Sequence, residues 1–492
     1  MKTMRRLGAA ALALTMTVSG FAFTACGSDR DENTLWIGYE KQGYGSDWLN
    51  ASIAAFKEEN PEVKIELHEE SPGYGNLVQQ ELQNGTPTND LIICSAINWA
   101  PFAASGKLAD LATVYASSYG NAFGDTIESA MIDGAKNTCK GSDGNYYTLR
   151  MEEAMASFVY NKTVSDYYEG LKSAWGTTVK IAKVKTVNDL MKWVNKIMEL
   201  SSGDYPFTYL DTKGTANEEK GAVAGFTFPG KYMNYWDSIV STWWAQYSGF
   251  EKYSSFFEME SAEVYSDVGR REALEAFEKL DLNRTMLTGS IELDHTNSQN
   301  AIVSGRALLI PNGVWMSNES ASTIKSWGAT LEMIPVPFID SSHDDENYAY
   351  CQGGAQAMIP TGEGKNVDLA KKFLAFLNTE TEVLRFTRTT NGMRPFNDGY
   401  AQSLIDGLEL DYFAQTCFAV HENAAEKIYD TPNDLSAPNY KMCLEGVAKK
   451  WALGNKYTDL IQEKTDAKTV FDDEVSYATE KFDSWLRQVG LL

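Results

Sequence analysis

Between Leu35 and Cys94 the sequence alternates strand, helix, strand, helix, strand, and that order leaves few folds open. Leu35, Ile37 and Tyr39 alternate with Trp36 and Gly38, the period-two pattern of a strand. A loop from Lys41 to Asp47 leads into a helix through Phe56 and Lys57, which Asn60-Pro61 stops. Val63, Ile65 and Leu67 then alternate with charged residues, Val78 to Leu82 reads as a second helix, and Asp90-Leu91-Ile92-Ile93-Cys94 is a continuous apolar run. Such a run suits a strand covered on both faces. The pattern predicts an α/β fold built on a parallel sheet. Ligands of such sheets sit beyond the carboxyl ends of the strands, which makes Tyr44 and Trp48 in one loop, and Asn98 and Trp99 in another, candidate binding residues.

At 492 residues the chain is too long for one core, and two or three domains are expected. Residues 1–25 hold Lys2, Arg5 and Arg6, no acid, and a mostly apolar run from Leu7 to Ala25, the layout of a secretory signal peptide. The run ends Phe23-Thr24-Ala25-Cys26-Gly27, similar to a bacterial lipobox with phenylalanine where leucine is usual. An ordinary signal with a chance cysteine is the alternative. On the lipobox reading Cys26 is lipidated, residues 26–33 are the lipidated cysteine and tether, and the protein is held at the outer face of the cell membrane by its lipid anchor only. No later stretch offers the 18 apolar residues of a spanning helix. Formal net charge is −24, and −27 once the signal is removed. That acidity excludes nucleic acid as an expected partner.

The remaining cysteines, Cys94, Cys139, Cys351, Cys417 and Cys443, show no CxxC spacing and suit small core fillers as well as disulfides. Neither a metal site nor a cofactor is expected from them, and the acidic loop Asp340 to Asn347 lacks calcium-ligand spacing. Gly225 to Gly249 is unusually aromatic. On a helix Trp236 and Trp243 share a face, while Asn234 to Trp236, at its amino end, can reach a cleft. Further on, Ala307 to Ile310 form a short buried strand, Asn312-Gly313 turns the chain, and Trp315 follows. Its ring suits either the C–H face of a sugar in a crevice or a place in the core.

The order of these pieces resembles the extracellular solute-binding proteins of ABC importers, specifically the maltose-binding-protein-like family 1 for carbohydrates. The resemblance rests on Phe56 to Pro61, Gly106-Lys107-Leu108-Ala109-Asp110-Leu111, Asp143-Gly144 with Tyr146, Ser157 to Lys162, Ser304 to Trp315, the Pro335-Val336-Pro337 pair and Asn366 to Leu377. Arg150 stands where the family usually has proline. The resemblance implies a two-lobed, type II periplasmic-binding-protein-like fold with ligand in a cleft between lobes joined by three hinge crossings, near Asn161, Gln356 and Asn397. One lobe is then 34–160 plus 356–396, the other 161–355 plus 397–492. It further implies capture of a sugar, a neutral oligosaccharide, by hinge closure, delivery to the permease subunits of the importer, and a monomeric protein. By position Trp315 is similar to the stacking aromatic of the second lobe, and Tyr235 or Trp236 to aromatics near it. Glu152 or Glu153 falls near the ligand-facing hinge segment, and Asn312, Gln352 and Arg394 complete the candidates. The alternatives are a secreted glycoside hydrolase and a peptide-binding surface lipoprotein. A hydrolase needs two carboxyls facing one cleft, whereas Glu152 and Glu153 are adjacent and point to opposite faces of an extended segment.

Overall fold

The computed structural model describes residues 31–121, 124–343, 346–397, 407–431, 437, 439–448 and 455–492. Cys26 and the signal peptide lie outside them. The elements that position the site are β1 (Thr34–Glu40), α1 (Asp47–Glu59), β2 (Lys64–Glu70), α2 (Tyr74–Asn84), β3 (Leu91–Cys94), β4 (Thr148–Arg150), β5 (Glu153–Asn161), α3 (Val187–Ser202), β6 (Ala224–Phe226), α4 (Asp237–Ser248), α5 (His295–Val303), β7 (Ala307–Gly313), β8 (Leu331–Ile334), β9 (Tyr348–Gly353), β10 (Gln356–Met358), α6 (Val367–Leu377), α7 (Glu380–Thr390), α8 (Tyr412–Glu422), β11 (Glu426–Ile428) and α9 (Ala467–Gln488). They form two separate sheets, each covered by helices, in the two-lobed α/β arrangement.

The first sheet runs β2-β1-β3-β10-β4. β1 is parallel to both β2 and β3, as helical connections require, and β10 lies antiparallel between β3 and β4. Leu35, Ile37 and Ile93 pack with Phe56 of α1, Phe373, Leu374 and Leu377 of α6, and Phe386 of α7 in one buried core. The second sheet runs β6-β7-β5-β9-β11, with β8 also on β5. Its centre, β5, is long enough to take two partners end to end on one edge. Residues 153–156 pair with β9 and residues 158–161 with β8, and Pro335 leads the chain away where its missing N–H would break the ladder. The other edge of β5 pairs with β7. Phe226, Trp236 and Trp243 pack against Trp193, Val194 and Ile197 of α3 on one face of this sheet.

The first passage between the sheets falls at Met151-Glu152, between β4 and β5, and the expected position near Asn161 is corrected accordingly. Asn161 lies at the far end of β5, where its side chain caps the following helix through the Val164 N–H at 3.0 Å and donates to the Ile302 carbonyl at 2.7 Å. An uninterrupted apolar strand gave no mark of where one sheet ends and the next begins. The second passage is Gly354-Ala355, adjoining Gln356. On the third, Asn397 is still tied to the first lobe, its N–H on the Ala130 carbonyl at 2.7 Å, and the chain returns on α8, which packs on β8.

Candidate functional site: the seam between the lobes

The loops at the carboxyl ends of the parallel strands are gathered by one buried carboxylate. Glu40, the last residue of β1, accepts the Gly73 N–H at 2.6 Å, the Ser95 N–H at 2.7 Å, the Ser95 hydroxyl at 2.9 Å and the Gln42 amide at 2.8 Å. Loops after β1, β2 and β3 are thereby braced together. Beyond Ser95, Ala96 takes φ 55°, a left-handed conformation that a non-glycine residue adopts at a cost and that clusters at ligand-facing loops. Asn98 follows, exposed, and its amide donates to the Glu445 carbonyl of the second lobe at 3.0 Å. Tyr440 adds a longer contact, its hydroxyl 3.5 Å from the Gly141 carbonyl.

Between these contacts lies an interlobe cavity of about 560 Å³, lined by Asn98, Trp99, Arg150, Gln356, Tyr429 and Tyr440 among others. Asn98 and Trp99, from the loop after β3, both line it. Arg150, Tyr429 and Tyr440 were not read from the sequence as site residues. The one available signal was arginine in place of a usual proline. Arg150 is buried, with Nε donating to the Glu152 carbonyl at 3.2 Å and its guanidinium 5.1 Å from the centre of the Tyr429 ring.

The two glutamates at the crossing have different surroundings. Glu152 accepts the Ala355 N–H at 3.2 Å, and burial pushes its carboxyl up to about 7 against that bond and the nearby Arg394. Burial presses Glu153 upward too, but His421 and Arg150 outweigh it and hold this carboxyl below its usual range. The Tyr429 hydroxyl donates to Glu153. Gln352 lies on β9 opposite Ala154.

A second aromatic group lines the seam around Trp315. Its ring folds back over Gly313, where an added Cβ would fall 2.0 Å from a ring carbon, so glycine is required there. Tyr235 meets it edge-on at 6.1 Å, and His295 lies 5.3 Å from Tyr235 and stacks on Tyr232 at 4.0 Å. Trp315 and Tyr235 are half-buried. Just beyond, the Asn318 amide donates to the Gly43 carbonyl of the first lobe at 2.5 Å, making another bridge across the seam. Trp315 and Tyr235 stand apart from the lining of the 560 Å³ cavity.

Other candidates serve the frame. Trp48 is buried, its indole N–H on the Tyr39 hydroxyl at 3.2 Å and its ring against Phe386 at 5.1 Å, and Tyr44 packs on the same phenylalanine at 5.2 Å. The loop after β1 and the first turn of α1 fold back onto α7 and take both rings inward. Trp236 is fully buried among Phe158, Phe226, Phe228 and Phe277. Asn312 is buried and accepts the Gly313 N–H at 2.8 Å, so it shapes the turn that presents Trp315. Arg394 is buried over Phe386 at 5.4 Å, donating to Asn378.

Comparison with known proteins decides the family. Residues 51–406 match the model of the bacterial extracellular solute-binding proteins. The chain belongs to that family. The fold of this solute-binding protein is similar to the GacH receptor of Streptomyces glaucescens, studied unliganded and with acarbose, at TM-score 0.61 and 16% identity over 92% of this chain and 98% of that one. A maltose/maltodextrin-binding domain, MalE, from Bdellovibrio bacteriovorus bound to maltotriose matches at 0.57 and 14%, over 92% and 100%. A secreted solute-binding lipoprotein from Streptomyces coelicolor matches at 0.58 and 14%, over 88% and 98%. A search of curated protein sequences gave no match. Among the described residues no helix of this solute-binding protein is long and apolar enough to cross a membrane.

Proposed function

We propose that this protein is the sugar-capturing component of an ABC importer, closing its two lobes on a neutral oligosaccharide and presenting the closed form to a membrane permease. The carrying observation is the interlobe cavity, which combines aromatic rings from both lobes, Trp99, Tyr429 and Tyr440, with the hydrogen-bonding groups of Asn98, Arg150 and Gln356. Rings cover the C–H faces of a sugar while amides and a guanidinium take its hydroxyls, and the volume lies within the 300–1,000 Å³ usual for ligand pockets. Trp315 and Tyr235 extend the aromatic surface along the seam. The lobes are bridged by the hydrogen bonds from Asn98, Tyr440 and Asn318, which hinge motion about Met151-Glu152, Gly354-Ala355 and the segment after Asn397 would exchange for ligand contacts. The protein works from the outer face of the cell membrane, anchored through Cys26, as a monomer, and leaves its ligand chemically unchanged.

Calorimetry of the purified protein against a panel of glycans, with products followed by chromatography, tests this reading. One-to-one binding of an oligosaccharide without turnover is expected. Hydrolysis of any glycan, or binding of peptides in place of sugars, would overturn it.

A further inference from the structure

Behind the cavity wall three side chains from distant parts of the sequence converge without using all their polar atoms. Glu153 opens β5, Cys351 lies on β9, and His421 sits in the last turn of α8. One donor atom from each, a carboxylate oxygen, the thiol sulfur and an imidazole nitrogen, lie within 4.8 Å of one another. All three residues are buried, at 0%, 2% and 2% exposure. Glu153 Oε2 and His421 Nε2 have no hydrogen-bond partner among the described residues. Leaving such atoms unpaired in a dry interior is costly, and His421 Nε2 lies 3.8 Å from the Glu153 carboxylate, at Oε1.

We propose that Glu153, Cys351 and His421 form a binding site for a divalent cation of zinc-like chemistry, with the fourth coordination position supplied by water from the interlobe cavity. Carboxylate, thiolate and imidazole are the three donor types zinc takes in tetrahedral sites. The second layer of contacts fits. His421 Nδ1 lies 3.0 Å from Glu422 Oε1, and a carboxylate on that nitrogen fixes the tautomer whose Nε2 lone pair faces the cluster. Glu153 Oε1 is held by the Tyr429 hydroxyl, leaving Oε2 for the ion. Access is available because Cys351 and Tyr429 both line the cavity.

Two cations oppose an ion here: Arg150, with Nε 3.9 Å from Glu153 Oε2, and Lys427, whose charge acts on Cys351 and His421. A carboxylate and a thiolate together balance a divalent charge, so the occupied centre is neutral and Arg150 keeps its hydrogen bonds to the Glu152 and Cys351 carbonyls. Coordination replaces the proton on the Cys351 sulfur and the one that the His421 imidazolium carries at Nε2, both of which pass to solvent, and involves no change of oxidation state. Because the site ties β5 and β9, the two strands adjoining the crossings, to α8, an ion would stiffen the hinge without touching the sugar. The cysteine spacing gave no hint of it, since the three ligands are distant in sequence and meet only through the second sheet.

The test uses the full chain purified in detergent, stripped with chelator and titrated with Co²⁺ as a spectroscopic stand-in. Saturation at one equivalent, with a sulfur-to-cobalt charge-transfer band in the near ultraviolet that Zn²⁺ abolishes by competition, is expected. Cys351→Ser should remove that band, and Glu422→Gln should weaken binding by roughly 10-fold. Folded wild-type protein that takes up no Co²⁺, or takes it up without a sulfur band, would overturn the proposal. Should Cys351→Ser fail to fold, the wild-type titration alone decides. Sugar affinity is measured separately, so failure of the metal site leaves the importer reading standing and the reverse also holds.

Discussion

The crossing at Arg150 to Glu153 and the aromatic wall at Trp315 belong to one seam and invert the usual sorting of residues. At the crossing the charged groups are inside: Arg150 is 1% exposed, Glu153 0% and nearby Arg394 0%. At the wall the rings of Trp315 and Tyr235 are only half-buried, and Tyr232 is 43% exposed. Buried charge is rare unless paired, and exposed apolar surface in a crevice marks a place where something binds. The crossing is therefore a frame whose charges answer one another, while the wall leaves ring surface open, the surface on which the proposed function would seat a sugar.

The largest effect should come from unbalancing the frame. Arg150→Leu leaves the Glu153 charge with less compensation in the interior, and a loss of about 3–5 kcal/mol in urea unfolding is expected. A loss below about 1 kcal/mol would mean that the crossing is not held by its charges. A contrasting half-buried acid sharpens the point. Asp237, at the start of α4, accepts the Tyr457 hydroxyl at 2.8 Å, and burial, reinforced by Asp430 and Glu474, pushes its carboxyl up to about 8. Its folded value exceeds its unfolded value, so its contribution is intact near pH 4 and is lost as pH rises toward 8. Asp237→Asn keeps the acceptor without the charge. It should gain about 2 kcal/mol over the wild type at pH 8 and nothing near pH 4, and equal melting curves at both pH values would count against the assignment.

On the wall, Trp315→Ala should weaken sugar binding by about 2 kcal/mol, roughly 30-fold, with the fold retained by circular dichroism. An unchanged dissociation constant would make Trp315 part of the frame. The smallest effect belongs to the bridge. Asn98→Ala removes the bond to the Glu445 carbonyl, and about 1 kcal/mol, near 5-fold in affinity, is expected with a larger radius of gyration by X-ray scattering. Unaltered scattering and affinity would assign closure to other contacts.

The first lobe was legible because its strands are local and periodic: Leu35, Ile37 and Tyr39 alternate, and α1 ends at Glu59 just before Asn60-Pro61. The second lobe resisted for a physical reason. β5 pairs with strands far away in sequence, so nothing local records where its sheet begins, and the crossing was misplaced at Asn161. In α4, Trp243 and Trp244 are both buried because the helix is covered on nearly every side. Tyr440 and Tyr429 escaped notice for want of any local mark of the cavity they line. At the site, composition pointed to rings but could not separate Trp315, whose ring stays partly open beside Gly313, from Trp48 and Trp236, which fill cores.

The Glu40 carboxylate, with its ligating N–H groups from the loops after β2 and β3, has a further consequence. A surface clipped together before any ligand arrives has little disorder left to lose on binding. Capture should then draw its entropic cost from the hinge segments, and amide exchange should slow on ligand addition at Met151 to Glu153 and Gly354-Ala355, while the amides of Gly73 and Ser95 are already protected in the free protein.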